Sequence, residues 1–328
     1  MYIDIIDAGH GDCILITCNE TIVLVDSGPK SLKIRKGVIQ QLTKLLGGRS
    51  VDIAVVTHND DDHIGGFEYL IESGIKIKSF IFNSIEFLPK VFGKKSNTKK
   101  ISFRQDTKLH GLLNEQNINV RTFQYEDAPI EFNGIKLTPL TPNEEILAKL
   151  NKEVVKRKIK KISGAKVKEQ SIKNCLDDIS SGGDIFTEDT SITNRSSISF
   201  ILEFKDKRVV FLADSYASDV INAIKCKNIE NIKFDAVKIS HHASHKNTSS
   251  ELIELLGKTE YIICADKSHH EHPNNKTISR IISYDNSSTF HLSSESQKLI
   301  STFNDCKKLG YDITTTNSQR GINRVCYE

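Results

Sequence analysis

The chain has no Trp, and its only Met is Met1. It therefore offers no obvious aromatic platform on which nucleobases would stack. Its seven cysteines, Cys13, Cys18, Cys175, Cys226, Cys264, Cys306 and Cys326, are scattered and odd in number, and none forms a C-x-x-C pair. That spacing excludes a zinc ribbon and a disulfide framework, and it fits free thiols in a reducing compartment. No apolar run approaches the roughly 18 residues that a membrane helix needs. The opening Met1-Tyr2-Ile3-Asp4-Ile5-Ile6-Asp7 lacks the basic start and long apolar stretch of a signal peptide. A cytoplasmic location with no membrane partner is expected. The net charge of +3 over 328 residues is too small to imply nucleic-acid binding by itself. With 38% hydrophobic and 27% charged residues the composition is that of a globular protein.

What the chain does have is the stretch Thr57-His58-Asn59-Asp60-Asp61-Asp62-His63-Ile64-Gly65-Gly66, which follows the mostly apolar run Val51 to Val56. Buried carboxylates need a cation or hydrogen bonds to offset the loss of water. His58, Asp60, Asp62 and His63 at the end of a buried strand therefore read as half of a metal site.

The coarse pattern alternates strands and helices. Strands are expected over 2–7, 13–18 and 21–25, then a helix over 31–47 and a doubly covered strand over 53–56. Later strands are expected over 197–204, 208–212, 234–239 and 261–264, with helices over 220–224, 251–256 and 277–283. Thr248-Ser249-Ser250 precedes the second of these helices and can cap it. The tail is expected to form short strands. Composition shifts over 143–193, where a basic segment is followed by an acidic, Gly/Ser-containing stretch. This reads as an insertion, a basic helix plus an acidic mobile loop, within one domain spanning 1–328. Residues 144–168 hold nine Lys or Arg against three Glu, a formal +6. Such a run is a solvated face or a phosphate-backbone contact, and the acidic loop is able to neutralise it. One feature recurs: buried strands end in His58, in Asp214 and in His241. Ligands at the carboxyl ends of strands in one sheet converge on one edge.

These residues resemble the metallo-β-lactamase superfamily, and within it the soluble hydrolase domain of the DNA-uptake protein ComEC and its stand-alone relatives. Asp7-Ala8-Gly9-His10-Gly11-Asp12-Cys13 matches their opening turn, and Asp26-Ser27-Gly28 their D-x-G. His58, Asp60, Asp62, His63, Gly65 and Gly66 match the H-x-D-x-D-H-x-G-G signature. Asn194, Ser196 and Ser197, then Ala213-Asp214, His241-His242-Ala243-Ser244 and His272-Pro273, match later motifs in order. The resemblance covers most of the chain outside 143–193. Ala213 and Ala243 stand where the relatives carry Gly, and His10 where Gln is common. The membrane channel of ComEC is absent, so DNA uptake does not carry over.

The resemblance implies an α/β fold, an αββα four-layer sandwich, around two divalent metal ions. His58 and Asp60 would hold the first ion, and Asp62, His63 and His241 the second, with Asp214 bridging. Asn194 stands near the place of the His that usually completes the first set. Asp26 is read as orienting the ligand loop by hydrogen bonds rather than as a ligand, and Asp12 as fixing the Gly-rich turn. On a strand, the adjacent His241 and His242 would point to opposite sides, so only one is expected to bind metal. The oxygen-rich set favours Mn²⁺ over Zn²⁺. Such a centre suits phosphodiester hydrolysis, with Asp62 counted among the catalytic groups as well as the ligands. His242 is expected to touch substrate or orient His241, and His272 to protonate the leaving oxygen. Ser244 and Lys246 are near enough in sequence to reach a phosphate, whereas His269 and His270 are expected as surface residues. The expected activity is that of a phosphodiesterase or nuclease acting on nucleic acid or a nucleotide. The alternatives are a lactone, ester or thioester hydrolase, and a non-catalytic sensor or binding module with this fold.

Overall fold

The computed structural model describes residues 1–87, 103–156 and 169–328. Strands β1 (Tyr2–Ile6), β2 (Ile14–Cys18), β3 (Thr21–Val25), β4 (Val51–Val56), β5 (Ile77–Phe82) and β6 (Asn119–Arg121) lie side by side in that order in one sheet. A second sheet runs β7 (Ile130–Phe132), β8 (Ile135–Thr141), β9 (Ser199–Phe204), β10 (Lys207–Phe211), β11 (Ala236–Lys238), β12 (Glu260–Ile263), β13 (Thr289–Leu292) and β14 (Thr314–Thr316). The last strand, β15 (Ile322–Cys326), returns to the first sheet and pairs antiparallel with β1.

Side-chain alternation along the strands divides the apolar residues into layers. Ile5, Ile14, Val23, Ile53 and Val55 face Phe200, Leu202, Phe211 and Ile262 between the two sheets. The intervening residues, such as Leu24, Ala54 and Val56, pack outward against helices Leu32–Leu46, Phe67–Glu72 and Arg104–Glu115. On the far side, Val210, Val237 and Ile263 meet helices Ala217–Cys226, Ser250–Leu256, Asn275–Tyr284 and Gln297–Lys308. The result is the αββα sandwich. All six residues of β4 are buried, because this strand is covered on both faces.

The expected elements recur with shifted ends, and Ser249 caps its helix by accepting from Leu252 N at 3.1 Å. Two regions differ. The tail carries the long helix Gln297–Lys308, whose Leu299, Phe303 and Cys306 are buried at helical spacing. The acidic stretch expected as a mobile loop begins with helix Ile172–Ser180, capped by Ser171, with Ile172 and Cys175 buried. Its apolar face lies on the outer helix layer of the second sheet, which holds it in place. Of the basic segment, Glu144–Lys156 is helical, and Leu147 and Leu150 pack with Phe103. The rest of that segment, 157–168, lies outside the described residues. No described helix is long and apolar enough to cross a membrane.

Two parallel stretches position the site. β3, β4 and β5 are parallel neighbours in the first sheet, as are β10, β11 and β12 in the second. Their carboxyl ends deliver Asp26 and His58 from one side, and Asp214, His241 and the loop of His272 from the other. Two turns clasp the ligand loop through three hydrogen bonds. Asp12 N donates to Asp62 O at 3.1 Å, Ser27 N to His63 O at 2.9 Å and Gly66 N to Gly28 O at 2.9 Å. The paired glycines are needed for space: a Cβ on Gly66 would stand 2.3 Å from Ser27 O, and one on Gly65 2.3 Å from Asp61 O. Backbone atoms cannot move aside as a flexible side chain does. Gly66→Ala is therefore expected to destabilise the protein by about 1–3 kcal/mol, the usual range for overpacking, measured by urea denaturation. An unchanged denaturation midpoint would show that the clasp is looser than this.

Candidate metal centre

Asp26, at the end of β3, ties the ligand loop to the sheet. Its Oδ1 accepts from Thr57 N at 2.8 Å, and its Oδ2 from Thr57 Oγ1 at 2.7 Å and from His63 Nδ1 at 2.8 Å. A carboxylate only accepts at neutral pH, so His63 carries its proton on Nδ1 and aims the Nε2 lone pair into the site. His241 is set in the same way: its Nδ1 lies 2.9 Å from Asn247 Oδ1. His242 Nδ1 donates to Cys264 O at 2.8 Å, and the carbonyl can only accept.

These rings converge on Asp214. Its Oδ1 lies 3.4 Å from His63 Nε2, and its Oδ2 lies 3.7 Å from His58 Nε2 and 3.5 Å from His241 Nε2. His58 Nε2 is also 3.8 Å from Asp60 Oδ2, and His242 Nε2 is 3.2 Å from Asp62 Oδ2. Most of these gaps exceed a good N–H···O hydrogen bond. They match the separation of about 3.4 Å between two ligands at about 2.1 Å from one tetrahedral ion. His58 Nε2, His63 Nε2, His242 Nε2 and Asp214 Oδ1 are all buried without a hydrogen-bond partner in the chain. Four orphaned ligand atoms in one place fit divalent metal ions.

Asp12 lies on the opposite side of these rings. Its Oδ1 is 3.1 Å from His242 Nδ1, and its Oδ2 pairs with the buried ammonium of Lys238. Asp12, His63 and His242 also form a group of metal-capable residues, but the protons on Nδ1 and the Lys238 cation already serve that side. His272, preceding Pro273, packs its ring 5.1 Å from His241 and 6.2 Å from His242. Beyond it, His270, His269 and His10 continue outward with ring separations of 5.8, 5.0 and 4.5 Å. His269 and His270 are exposed, as expected, yet they form the lip of the site.

The electrostatics express a shortage of positive charge. Partial burial in the cleft, together with Asp62 and Asp214, pushes the half-exposed Asp60 carboxyl up to about 7. Burial and the neighbouring His63 pull His58 down to about 3, so it is a neutral imidazole at pH 7. Burial also raises Asp12, but Lys238, His242 and His63 outweigh it and hold that carboxyl well below the usual range.

Three placements depart from the expected ones. His241 and His242 are not on a strand; they occupy the tight turn Ser240–Ala243 with φ of 47° and 53°. The left-handed backbone turns both rings to one side, so the opposite-faces argument does not apply. His241 Nε2 shares Asp214 Oδ2 with His58, whereas His242 Nε2 is the ring atom beside Asp62. Asn194 lies in the short helix Ile192–Arg195 and donates Nδ2 to Asp189 Oδ2 at 2.6 Å, behind His241. Ser244 Oγ accepts from Lys246 N at 3.2 Å, within its own turn.

Several supporting residues escaped sequence reasoning. Lys238 had a visible signal, a lone charge at the end of an apolar strand. Asn247 follows the histidine pair closely but is an ordinary loop residue by type. Asp189 lies in the compositionally distinct segment, where nothing marks one acid above its neighbours.

The family model described as the metallo-beta-lactamase superfamily matches residues 6–266. Among solved structures, the metallo-beta-lactamase fold protein YhfI from Bacillus subtilis is 12% identical, with 99% of each chain covered and a TM-score of 0.46. A structure described as a new diphosphatase from the PhnP family is 12% identical, covering 100% of this chain and 98% of its own, with a TM-score of 0.44. CmlA, a diiron beta-hydroxylase from Streptomyces venezuelae, is 12% identical and covers 99% of this chain but 53% of its own, with a TM-score of 0.42. No curated protein matches the chain in sequence. Likenesses this weak carry no function across.

The support of the ligand loop generates a pH dependence. Asp106 is fully buried and accepts from Ser84 Oγ at 2.5 Å and Ile85 N at 3.0 Å, with Asn59 of the loop also bonded to it. Burial outweighs these bonds and pushes its carboxyl up to about 7, from 3.8. Below pH 4 it is protonated in both folded and unfolded chains. Between 4 and 7 the unfolded chain ionises first, so this group's share of stability is lost as pH rises. At about 1.4 kcal/mol per pH unit, that loss is of the order of 4 kcal/mol. Asp106→Asn is expected to gain on the wild type by that order between pH 4 and 8 in urea denaturation. A constant difference between the two would refute the assignment.

Proposed function

The chain belongs to the metallo-β-lactamase superfamily, and on that premise we propose that it is a dinuclear metal-dependent phosphodiesterase acting on nucleic acid or a nucleotide. The order of its motifs resembles that of the soluble hydrolase domain of ComEC. The observation that carries the reading is the convergence of orphaned imidazole nitrogens on the Asp214 carboxylate. His58, Asp60 and His241 would hold one ion, and Asp62, His63 and His242 the other, with Asp214 serving both. His241 thus takes the place near which Asn194 was first expected, and His242 takes the place first given to His241.

Three carboxylates in the set favour Mn²⁺ over Zn²⁺. When bound, a metal pair supplies a hydroxide at neutral pH and neutralises the charge of a phosphodiester's oxygens. The chain's own residues do the rest. Asp26, Asn247 and Cys264 O hold His63, His241 and His242 by their Nδ1 atoms, so that each ring stays aimed. His272, packed on His241 at the mouth, is the group placed to exchange a proton with the leaving oxygen. The row His270, His269 and His10 extends the polar lip along which the rest of a substrate would lie.

The test is turnover by Mn²⁺-loaded protein of single-stranded DNA, RNA and cyclic or linear dinucleotides, beside a lactone and a thioester. Phosphodiester cleavage is expected. His272→Ala is expected to lower kcat by about 10²-fold or more, the scale of a lost proton-transfer group. Asp214→Ala is expected to abolish turnover while circular dichroism stays unchanged. Hydrolysis of the lactone or thioester alone would overturn the reading.

A further inference from the structure

We propose that Asp189, carried by the 143–193 segment, is a positioning residue for His241 and couples that segment to metal binding. The claim rests on the metal-binding reading of the site.

The geometry starts at Asn247. Its Nδ2 donates to Asp214 O at 3.1 Å and to Ser215 O at 3.4 Å. Both are carbonyls, which only accept, so the orientation of the amide is fixed and its Oδ1 faces His241 Nδ1. His241 thus carries its proton on Nδ1 and keeps the Nε2 lone pair toward Asp214, 3.5 Å away.

Asp189 stands behind this pair. Its Oδ2 is 3.6 Å from His241 Nδ1, 3.5 Å from Asn247 Nδ2 and 2.6 Å from Asn194 Nδ2. Its Oδ1 accepts from Thr190 N at 2.6 Å and Ser191 N at 3.1 Å, and its own N donates to Lys246 O at 3.0 Å. The carboxylate is therefore locked in place with its charge toward the protonated side of the ring. A carboxylate there strengthens the ring as a metal donor and fixes its angle, and losing such a partner typically weakens metal binding 10–100-fold. Orientation and charge act in the same direction, so the sign of the effect is settled.

Asp189→Asn keeps the shape and removes the charge. The experiment titrates metal-stripped protein with Mn²⁺ and with Zn²⁺ in a calorimeter. The wild type is expected to bind in two steps, and Asp189→Asn to weaken one step at least tenfold while the other is unchanged. A purely structural role would instead weaken both steps or lower the thermal midpoint of the stripped protein, and either result overturns the proposal, as does an unchanged titration. Hydrogen exchange over 184–195 in the wild type gives a second readout that does not depend on how the variant folds. Slower exchange on adding Mn²⁺ is expected, and exchange indifferent to the metal overturns the coupling. A wild type that binds neither ion defeats the metal reading itself, whereas normal wild-type binding with an indifferent variant defeats only the role of Asp189.

Discussion

Five carboxylates gather where the two sheets meet, those of Asp12, Asp26 and Asp214 buried and those of Asp60 and Asp62 partly exposed, and one buried ammonium, Lys238, faces them among the described residues. Charges of one sign removed from water are costly unless offset, and the neighbourhood is arranged around that cost. Lys238 offsets Asp12, and Asp26 is offset by three donors from Thr57 and His63. Asp60, Asp62 and Asp214 have imidazole nitrogens for neighbours and, among the described residues, no lysine or arginine within ion-pair reach. Protons on Asp60 and on the imidazoles of His63, His241 and His242, whose charged forms these carboxylates favour, balance them in part, and bound cations would do the same. The hydrogen bond that helps satisfy Asp26 also selects which nitrogen of His63 carries the proton, and Cys264 O does the same for His242 beside Asp12. Charge balance and ligand orientation are therefore one arrangement.

The backbone bears part of the cost. His241, His242 and Ala243 have φ of 47°, 53° and 65°, and Ala213 has 47°. Each non-Gly residue in this region costs roughly 1–2 kcal/mol. The strained turn persists because its surroundings over-determine it: His241 N donates to Ala213 O at 2.7 Å, Ser240 Oγ to Ser215 O at 2.6 Å and Asn274 N to Ala243 O at 3.1 Å. Strain of this kind is stored where geometry matters for function. It also accounts for two departures from the motif. Ala213 and Ala243 replace Gly at positions whose left-handed conformation is what Gly serves, and this chain keeps the conformation while changing the residue.

The sequence made the layers legible because burial on two faces leaves a plain mark. The unbroken apolar run of β4 and the helical spacing of Val38, Leu42 and Leu46 are read directly from residue type. The motif around His58 was legible because its residues are close in the chain. What was not legible depends on backbone dihedrals and on distant partners. The histidine pair was placed on a strand because residue type does not announce three successive left-handed residues. The helix Gln297–Lys308 was missed because its polar residues hide an apolar stripe of only a few side chains. Asn194 was read from motif order as standing near the place of the missing His; its Nδ2 is engaged by Asp189, five residues earlier, while its Oδ1 is buried without a partner.

The acidic stretch shows why composition alone misleads about such a segment. Next to a basic run, acids suggest mutual neutralisation. In the folded chain they meet other partners. Asp184 takes Arg280 in a bidentate pair and Lys276 at 3.0 Å, and Glu188 accepts from Ser218 N and Oγ. Arg280 in turn donates to His245 O and Thr248 O, the carbonyls that flank Asn247. A path of hydrogen bonds thus runs from the outer helix layer, through the acidic stretch, to the loop that follows His241. Pairs of this kind hold their geometry because separating them would leave charge unmatched away from water. The acidic stretch, which looks least like the rest of the chain, is by its contacts part of the wall of the candidate metal site.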